Sequence, residues 1–243
     1  MNTIKIDTQG VRLVAHRGLS GIEPENTHAA FIAAANRSYH AIETDVHVTR
    51  DGHYICTHDD TTGRVAARNL TVENTDYEEL RQILLHEFDG STGRTDLRLP
   101  SLEEYARICQ RYDKTSFLEL KNRVAPVHIQ KIITLLRRCH QLDHTVFISF
   151  DRGNLIDLRA MLPSQPMQYL CEKYSPEVLQ FLKQYQLDLD ISSRALTAQG
   201  IEDVHQIGQA VNVWTINDAK SANYWIAQGV DYITTNILEQ EHI

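Results

Sequence analysis

The segment VAHRGLSGIEPENTHAAF, residues 14–31, contains a short apolar strand, a glycine-rich turn and the start of a helix. The strand ends on His16 and Arg17, two polar side chains that are costly to bury unless they meet partners. In parallel α/β barrels the functional residues lie at the carboxyl ends of the strands, where the loops leading to the helices begin. The segment therefore predicts a strand–loop–helix unit with a functional site at its loop.

The same unit recurs along the whole chain, because short apolar runs alternate with amphipathic segments that begin with Asn or Ser caps or an early proline. About eight strands in 243 residues are typical of a single-domain α/β protein of the (β/α)8 TIM barrel class. A doubly wound open sheet is the alternative, but it usually carries a glycine-rich phosphate-binding fingerprint after its first strand, which this sequence lacks. The predicted strands are residues 12–16, 41–46, 115–121, 145–150, 167–170, 188–192, 211–216 and 231–235.

One segment interrupts the alternation after the second strand. The pair Asp51-Gly52 is a strong hairpin signal, and residues 61–99 that follow are polar and rich in turn residues, with one short helical stretch at 76–84. This segment is predicted to cross one mouth of the barrel and to be too polar to bury much surface by itself. Residues 1–243 are thus expected to form one barrel domain with a small insertion at about 61–99.

Composition excludes several classes of function. A formal net charge of −8 without a Lys/Arg block argues against nucleic acid as the main partner. The amino-terminal stretch lacks the long apolar run of a signal peptide, and no run approaches membrane-spanning length, so we expect a cytoplasmic protein without a stable membrane anchor. Four scattered cysteines predict buried free thiols. The oligomeric state is not indicated.

Three carboxylates fall near the ends of two predicted strands that follow one another. Glu43 and Asp45 are two residues apart, as are Glu119 and Lys121, and side chains at this spacing share a strand face. Carboxylates gathered at one mouth repel each other unless a cation or basic partners compensate them. Their hard oxygen atoms suit Mg²⁺, Ca²⁺ or Mn²⁺ rather than zinc. A salt-bridge network with Arg17 and Lys121 is the structural alternative.

Basic and imidazole side chains are expected at the same mouth. Arg17 offers a forked donor for phosphate oxygens, and Lys121 a mobile positive charge. His16 and His58 can titrate near neutral pH and act as a general base and a general acid, although a single histidine at a strand end is more often structural. Together with a divalent cation, these groups predict phosphoryl chemistry.

The motifs HRG (16–18), PENT (24–27), IETDVHVTRDGHYICTHDD (42–60), LELK (118–121), VNVWTIN (211–217) and GVDYITTN (229–236) resemble the glycerophosphodiester phosphodiesterases. The resemblance implies a TIM barrel with a small insertion after the second strand. It also implies hydrolysis of a glycerophosphodiester to sn-glycerol 3-phosphate and an alcohol, with one divalent cation, typically Mg²⁺ or Ca²⁺. By this resemblance the metal ligands are Glu43, Asp45 and Glu119, the acid/base pair is His16 and His58, the phosphate contacts are Arg17 and Lys121, and the pocket is lined by Trp214 with Ser149 and Phe150.

Three further residues of the quoted motifs are candidates for the site. His47 shares the strand face of Glu43 and Asp45, and is either a group that supports the site or a hydrogen-bonded strand histidine. Asn26 is interpreted first as a helix cap and only second as a site residue. Glu25 is a candidate ion-pair partner that orients Arg17.

Two other functions remain open at this point. A related barrel phosphodiesterase acting on lysophospholipids, as a lysophospholipase D does, or on sphingolipid head groups would need an apolar lip for an acyl chain. A barrel that only binds phosphodiesters would not require both His16 and His58. The insertion offers these scattered apolar candidates for the lip: Val72, Leu80, Ile83, Leu84, Leu85 and Phe88.

Overall fold

A computed structural model describes residues 2–241, and its centre is a closed barrel of parallel strands. The barrel strands are β2 (Arg12–Ala15), β3 (Ala41–Val48), β5 (Thr115–Leu120), β6 (Thr145–Ser149), β7 (Met167–Cys171), β8 (Asp188–Ser192), β9 (Val211–Trp214) and β10 (Tyr232–Thr235). They are adjacent in this order around the barrel, and β10 pairs back onto β2. The predicted barrel is confirmed, and the strand ends lie within two residues of the prediction.

Helices surround the barrel, and several of them begin at the caps that the sequence predicts. Ser101 forms a capping box with Glu104, Ser175 accepts from the backbone N–H of Val178, and Gly229 ends the last helix in the left-handed region. The helices are α1 (His28–Ala35), α2 (Tyr77–Arg81), α3 (Leu102–Arg111), α4 (Pro126–Arg138), α5 (Arg152–Met161), α6 (Pro176–Tyr185), α7 (Ala198–Gln206) and α8 (Ala219–Gln228).

Three strands lie outside the barrel. β4 (Tyr54–Cys56) runs antiparallel to β3 and forms the hairpin arm that leads to His58. β1 (Ile4–Ile6) and β11 (Leu238–Gln240) form a separate parallel pair. The sequence did not predict this pair, because three-residue strands are too short to show a period.

The insertion packs better than its composition suggests. Apart from α2 it contains two single turns of 3-10 helix, Thr62–Arg64 and Val72–Asn74, and an isolated bridge between Ala66 and Leu85. These turns gather widely spaced apolar residues, so the expectation that the insertion buries little surface is wrong. The resulting insertion cluster comprises Ile55, Ala66, Val72, Leu80, Ile83, Leu85, Leu97 and Leu99.

The barrel interior is filled in layers, because inward-facing residues of alternate strands lie at one height in an eight-stranded barrel. The lower part includes the apolar side chains of Val14, Phe117 and Tyr232, together with buried polar side chains such as Gln168 and Asn212, which hydrogen-bond to each other. The next two layers toward the carboxyl ends of the strands position the site. The strand register gives a floor layer of Glu43, Ile148, Asp190 and Thr234, and above it a second layer of His16, Glu119, Leu170 and Trp214.

Candidate active site

Glu43, Asp45 and Glu119 meet at the mouth of the barrel. β3 directs Glu43 and Asp45 to the same face, and the register of β3 with β5 pairs Asp45 with Glu119. All three side chains are buried, and each contributes an oxygen that lies within 4.8 Å of those of the other two. The sequence prediction that these carboxylates converge is confirmed by this geometry.

The three carboxyl groups have different electrostatic surroundings. Burial, followed by the charges of Asp45 and Glu119, raises the pKa of Glu43 well above its usual range. Burial and Asp45 also raise the pKa of Glu119, to about 7. Burial disfavours the charged form of Asp45 too, but Arg17 and Lys121 outweigh it and lower the pKa of that carboxyl. The cluster thus holds more acidic groups than its basic neighbours compensate.

The salt-bridge alternative accounts for only part of this cluster. Lys121 Nζ lies 2.8 Å from Glu119 Oε1, and Arg17 Nε lies 3.5 Å from Asp45 Oδ2. Glu43 accepts a hydrogen bond of 2.7 Å from the backbone N–H of Arg17, but within residues 2–241 no basic side chain comes within 4.0 Å of it. Three closely spaced carboxylates, whose negative charge is only partly compensated by basic side chains, fit a hard divalent cation.

Arg17 is held in place by its backbone and by its side chain. Its φ of 55° lies in the left-handed region, which turns the chain sharply after β2 and aims its N–H at Glu43. Its guanidinium contacts Glu25 at 2.9 Å, as the sequence analysis anticipated. The pKa of Arg17 is raised, because the carboxylates around it outweigh the opposing effect of burial. Arg17 is therefore a fixed positive charge at the pocket wall.

Asn26 is not the helix cap that the sequence suggested. The N-cap of α1 is Thr27, whose hydroxyl accepts from the backbone N–H of Ala30. Asn26 is buried and has a φ of 52°. Its amide donates to Asp45 Oδ2 at 2.8 Å and its carbonyl accepts from the hydroxyl of Thr44 at 2.6 Å. The first reading is wrong because the helix begins one residue later, and Asn26 instead orients a carboxylate of the cluster.

The two candidate acid/base histidines approach the pocket from different elements. His16 follows β2, and its Nδ1 lies 2.7 Å from Asn236 Oδ1. Burial, followed by the charge of Arg17, lowers the pKa of His16 to about 4. His58 follows the β4 arm, and its Nδ1 donates to Asp59 at 2.6 Å. Burial lowers the pKa of His58 as well. Each imidazole is thus oriented through Nδ1, which leaves Nε2 for chemistry.

Further residues hold His58 in position. His47 is fully buried on β3, with its Nε2 3.3 Å from the backbone carbonyl of His58 and its Nδ1 3.1 Å from Glu73. His47 therefore supports the loop that carries His58. Arg64, from the insertion, bridges Asp59 at 2.6 Å and Glu25 at 2.7 Å. The insertion thereby connects the surroundings of both His58 and Arg17.

One pocket, with a cavity volume of about 710 Å³, is lined by six of these residues: His16, Arg17, Glu43, His58, Glu119 and Lys121. Trp214 lines it, as expected, and packs edge-to-face against Phe150 with ring centroids 6.0 Å apart. Ser149 is not among the residues that line the pocket. It is buried, and its hydroxyl donates to the backbone carbonyl of Leu120. The pocket continues from the carboxylates along an apolar and aromatic wall that includes Tyr169, Leu170, Cys171 and Val178.

Four residues near the site were not singled out from the sequence. Asn236 and Asp59 lie within quoted motifs, so their place beside a histidine was a detectable signal. Arg64 lies in the polar insertion, where nothing distinguishes it from the other arginines. Asp190 lies on the floor of the pocket, and its strand reads as an ordinary buried strand.

Comparisons with known proteins find a matching family and similar chains over most of the sequence. A family model described as the glycerophosphoryl diester phosphodiesterase family matches residues 16–240. A glycerophosphodiester phosphodiesterase of Bacillus altitudinis is 28% identical over 93% of this chain and 94% of its own. A lysophospholipase D of Mus musculus is 30% identical over 65% of this chain and 49% of its own.

A solved structure is similar throughout the barrel. It is that of an Oleispira antarctica phosphodiesterase in complex with its product, sn-glycerol-3-phosphate. The two chains share 26% identity, with 93% of this chain and 92% of that chain covered and a TM-score of 0.85.

Proposed function

This chain belongs to the glycerophosphoryl diester phosphodiesterase family, and from that premise we propose that it hydrolyses glycerophosphodiesters to sn-glycerol 3-phosphate and an alcohol. The observation that carries the proposal is the pocket itself. It brings three buried carboxylates, two cationic side chains and two oriented imidazoles to one mouth of the barrel. Phosphodiester hydrolysis needs this combination of charge compensation and proton transfer.

The cation belongs to the proposal. Glu43, Asp45 and Glu119 would hold one divalent ion, Mg²⁺ or Ca²⁺, with Mn²⁺ as an alternative. When bound, such an ion supplies positive charge that polarises a phosphoryl oxygen and lowers the pKa of a coordinated hydroxyl. Asn26 and the N–H of Arg17 orient two of the three carboxylates before any ion arrives. Such hydrogen bonds to metal-binding carboxylates contribute to affinity.

The chain's own residues supply the remaining chemistry. Arg17 and Lys121 line the pocket and stabilise the negative charge that builds on the phosphoryl oxygens. His16 and His58 present Nε2 because their Nδ1 atoms are engaged by Asn236 and Asp59. One imidazole removes the proton of the attacking hydroxyl, and the other protonates the departing alcohol.

The nucleophile is proposed to come from the substrate. Glycerophosphodiesters carry a hydroxyl on the carbon next to the phosphorylated one, and its attack would give a cyclic 1,2-phosphate that water then opens. Direct attack by water is the competing route. The two routes separate on a 2-deoxy analogue, propane-1,3-diol phosphocholine, which we expect to bind but to react orders of magnitude more slowly. Comparable turnover on both substrates would exclude the cyclic route.

Lysophospholipids are less well supported as substrates. Of the apolar residues that the sequence offered for an acyl-chain lip, Val72, Leu80, Ile83 and Leu85 are buried in the insertion cluster, Leu84 is half-buried and Phe88 is exposed. They are therefore not assembled into a lip. Among the helices of residues 2–241, none is long and apolar enough to cross a membrane. A cytoplasmic enzyme acting on deacylated, small-molecule phosphodiesters remains our proposal.

One assay tests the proposed function. The protein is incubated with glycerophosphocholine or with lysophosphatidylcholine, each with and without EDTA, and glycerol 3-phosphate and free choline are measured. We expect both products from glycerophosphocholine and their loss with EDTA. Choline release only from lysophosphatidylcholine would favour a lysophospholipase D. No product from either substrate, with divalent ions present, would favour a barrel that binds phosphodiesters without cleaving them.

A further inference from the structure

Asp190 is a buried carboxyl group on the floor of the active-site pocket that the mechanism above does not use. It lies on β8, is 2% exposed and lines the pocket together with Glu43 and Trp214. Its Oδ1 has no hydrogen-bond partner within residues 2–241. Buried polar atoms without partners are rare in folded proteins and call for an explanation.

The strand register places Asp190 opposite the carboxylate cluster. It belongs to the floor layer with Glu43, Ile148 and Thr234, and all four of these residues line the pocket. β3 and β8 are four strands apart in the closed order of eight, so Glu43 and Asp190 face each other across the barrel. The interior of an eight-stranded barrel is only wide enough for side chains to meet. A group of a few atoms resting on the floor can therefore reach both carboxyls.

The surroundings of Asp190 do not satisfy it. Its neighbour Asn212, paired with it between β8 and β9, donates its amide to Gln168 and accepts from the hydroxyl of Thr234. Leu170, its neighbour on β7, is apolar. Burial, with a smaller contribution from Glu119, raises the pKa of Asp190 well above its usual range. The protein thus keeps a desolvated carboxyl group, with no donor to its Oδ1, on the floor of the pocket.

We propose that Asp190 accepts a hydrogen bond from the terminal hydroxyl of the substrate's glycerol moiety and so selects substrates in which that hydroxyl is free. This inference rests on the proposed function, in which the neighbouring hydroxyl and the phosphate lie on the side of Glu43. Glycerol carries its two remaining hydroxyls on adjacent carbons. With one of them on the side of Glu43, the other extends over the floor toward Asp190.

The consequence is discrimination against acylated substrates. In a lysophospholipid acylated on the terminal oxygen, the hydroxyl is replaced by an ester that has no proton to donate. Asp190 would then remain buried without a partner, and the acyl chain would have to leave the pocket from its floor. Sites built to hydrogen-bond a substrate hydroxyl reject analogues that lack it, because their buried polar groups stay unpaired.

The test pairs a change in the enzyme with a change in the substrate. The 1-deoxy analogue of glycerophosphocholine, propane-1,2-diol 1-phosphocholine, lacks the terminal hydroxyl but keeps the one next to the phosphorylated carbon. For the wild-type, metal-loaded enzyme we expect kcat/KM on this analogue to fall by roughly 10- to 100-fold relative to glycerophosphocholine. In Asp190→Leu, which keeps the volume but removes the acceptor, the two substrates should differ by less than about threefold.

Two further variants guard against a purely structural effect. Asp190→Asn retains an acceptor oxygen and should preserve part of the discrimination. Asp188→Asn changes the other inward-facing carboxyl of the same strand, whose Oδ1 is already engaged by the backbone N–H of Ala210, and should preserve all of it. Asp190→Leu should melt no lower than wild type, because it removes a carboxyl that is buried without a partner.

The outcomes separate the two proposals. Equal wild-type kcat/KM on both substrates, or an unchanged ratio in Asp190→Leu, would overturn the role of Asp190 while leaving the hydrolase proposal intact. The role would also be overturned if Asp190→Leu changed the preference between choline and an uncharged head group but left unchanged the ratio of kcat/KM on glycerophosphocholine to kcat/KM on its 1-deoxy analogue. Failure of the wild-type enzyme to cleave glycerophosphocholine at all would instead refute the proposed function.

Discussion

Replacing Asn26 should damage the site through two separable effects. The amide of Asn26 donates to Asp45, its carbonyl accepts from Thr44, and the whole side chain is buried. Its backbone also adopts a φ of 52°, in the left-handed region. Asn26→Ala removes the side-chain bonds and also strains the backbone, because alanine tolerates the left-handed region less well than asparagine, whereas Asn26→Gly removes the bonds without that strain.

The magnitudes follow from these contacts. A hydrogen bond to a charged acceptor contributes about 1.5–3 kcal/mol to the free energy of unfolding. The left-handed conformation costs alanine roughly 1–2 kcal/mol, and glycine little or nothing. We therefore expect Asn26→Gly to lose about 2–3 kcal/mol and Asn26→Ala about 3–5 kcal/mol. Because Asp45 loses an orienting partner, affinity for a divalent cation should fall roughly 10- to 100-fold in both variants.

Urea denaturation monitored by circular dichroism measures the stability, and calorimetric titration with Mg²⁺ or Ca²⁺ measures the affinity. Asn36→Ala is a matched control, because Asn36 is exposed and has a negative φ at the end of α1. It should lose less than about 1 kcal/mol and bind metal normally. Equal stabilities of Asn26→Ala and Asn26→Gly would refute the backbone argument. Unchanged metal affinity in both would refute the orienting role.

Three other results are expected. Glu119→Ala should lower both divalent-cation affinity and turnover; full activity in EDTA, with no metal found by elemental analysis, would contradict this. His16→Ala and His58→Ala should each reduce kcat by roughly 10²–10⁴-fold without unfolding the protein, and near wild-type kcat would remove the residue from the mechanism. Burial opposes ionisation of Glu104, but the imidazole of His28, 3.6 Å away, and hydrogen bonds from Ser101 outweigh it and lower its pKa to about 2. Its ionised form therefore stabilises the fold at pH values above the pKa of Glu104 in the unfolded chain. At pH 7 we expect Glu104→Gln to lower the free energy of unfolding by about 0.5–1 kcal/mol after allowance for solvent screening. This difference should shrink as the pH falls from 4.5 toward 2, and a difference independent of pH would contradict the assignment.

The sequence by itself determined the barrel and most of the polar residues at its mouth. Strand and helix patterns are local, so their alternation could be read without knowing any long-range contact. The spacing of Glu43 and Asp45 places both on one face of a strand, whichever strands lie beside it. Because active sites of barrels lie at the carboxyl ends of the strands, Glu119, His16 and His58 could be assigned to the same end of the barrel.

Only the tertiary structure decided which partners these residues have. Asn26 looked like a helix cap because caps are recognised from neighbouring residues, whereas its bond to Asp45 joins two different strand–loop units. The packing of the insertion and the link of Arg64 to both Asp59 and Glu25 depend on turns that bring distant residues together.

Asp190 shows the limit most clearly. Its sequence neighbours mark it as part of a buried strand, and nothing local shows what it faces. Its position opposite Glu43 follows from closure of the barrel and from the register of every strand between them. Its lack of a partner follows from where the amide of Asn212 points. Such properties arise from contacts between residues far apart in the chain, which a local sequence pattern does not encode.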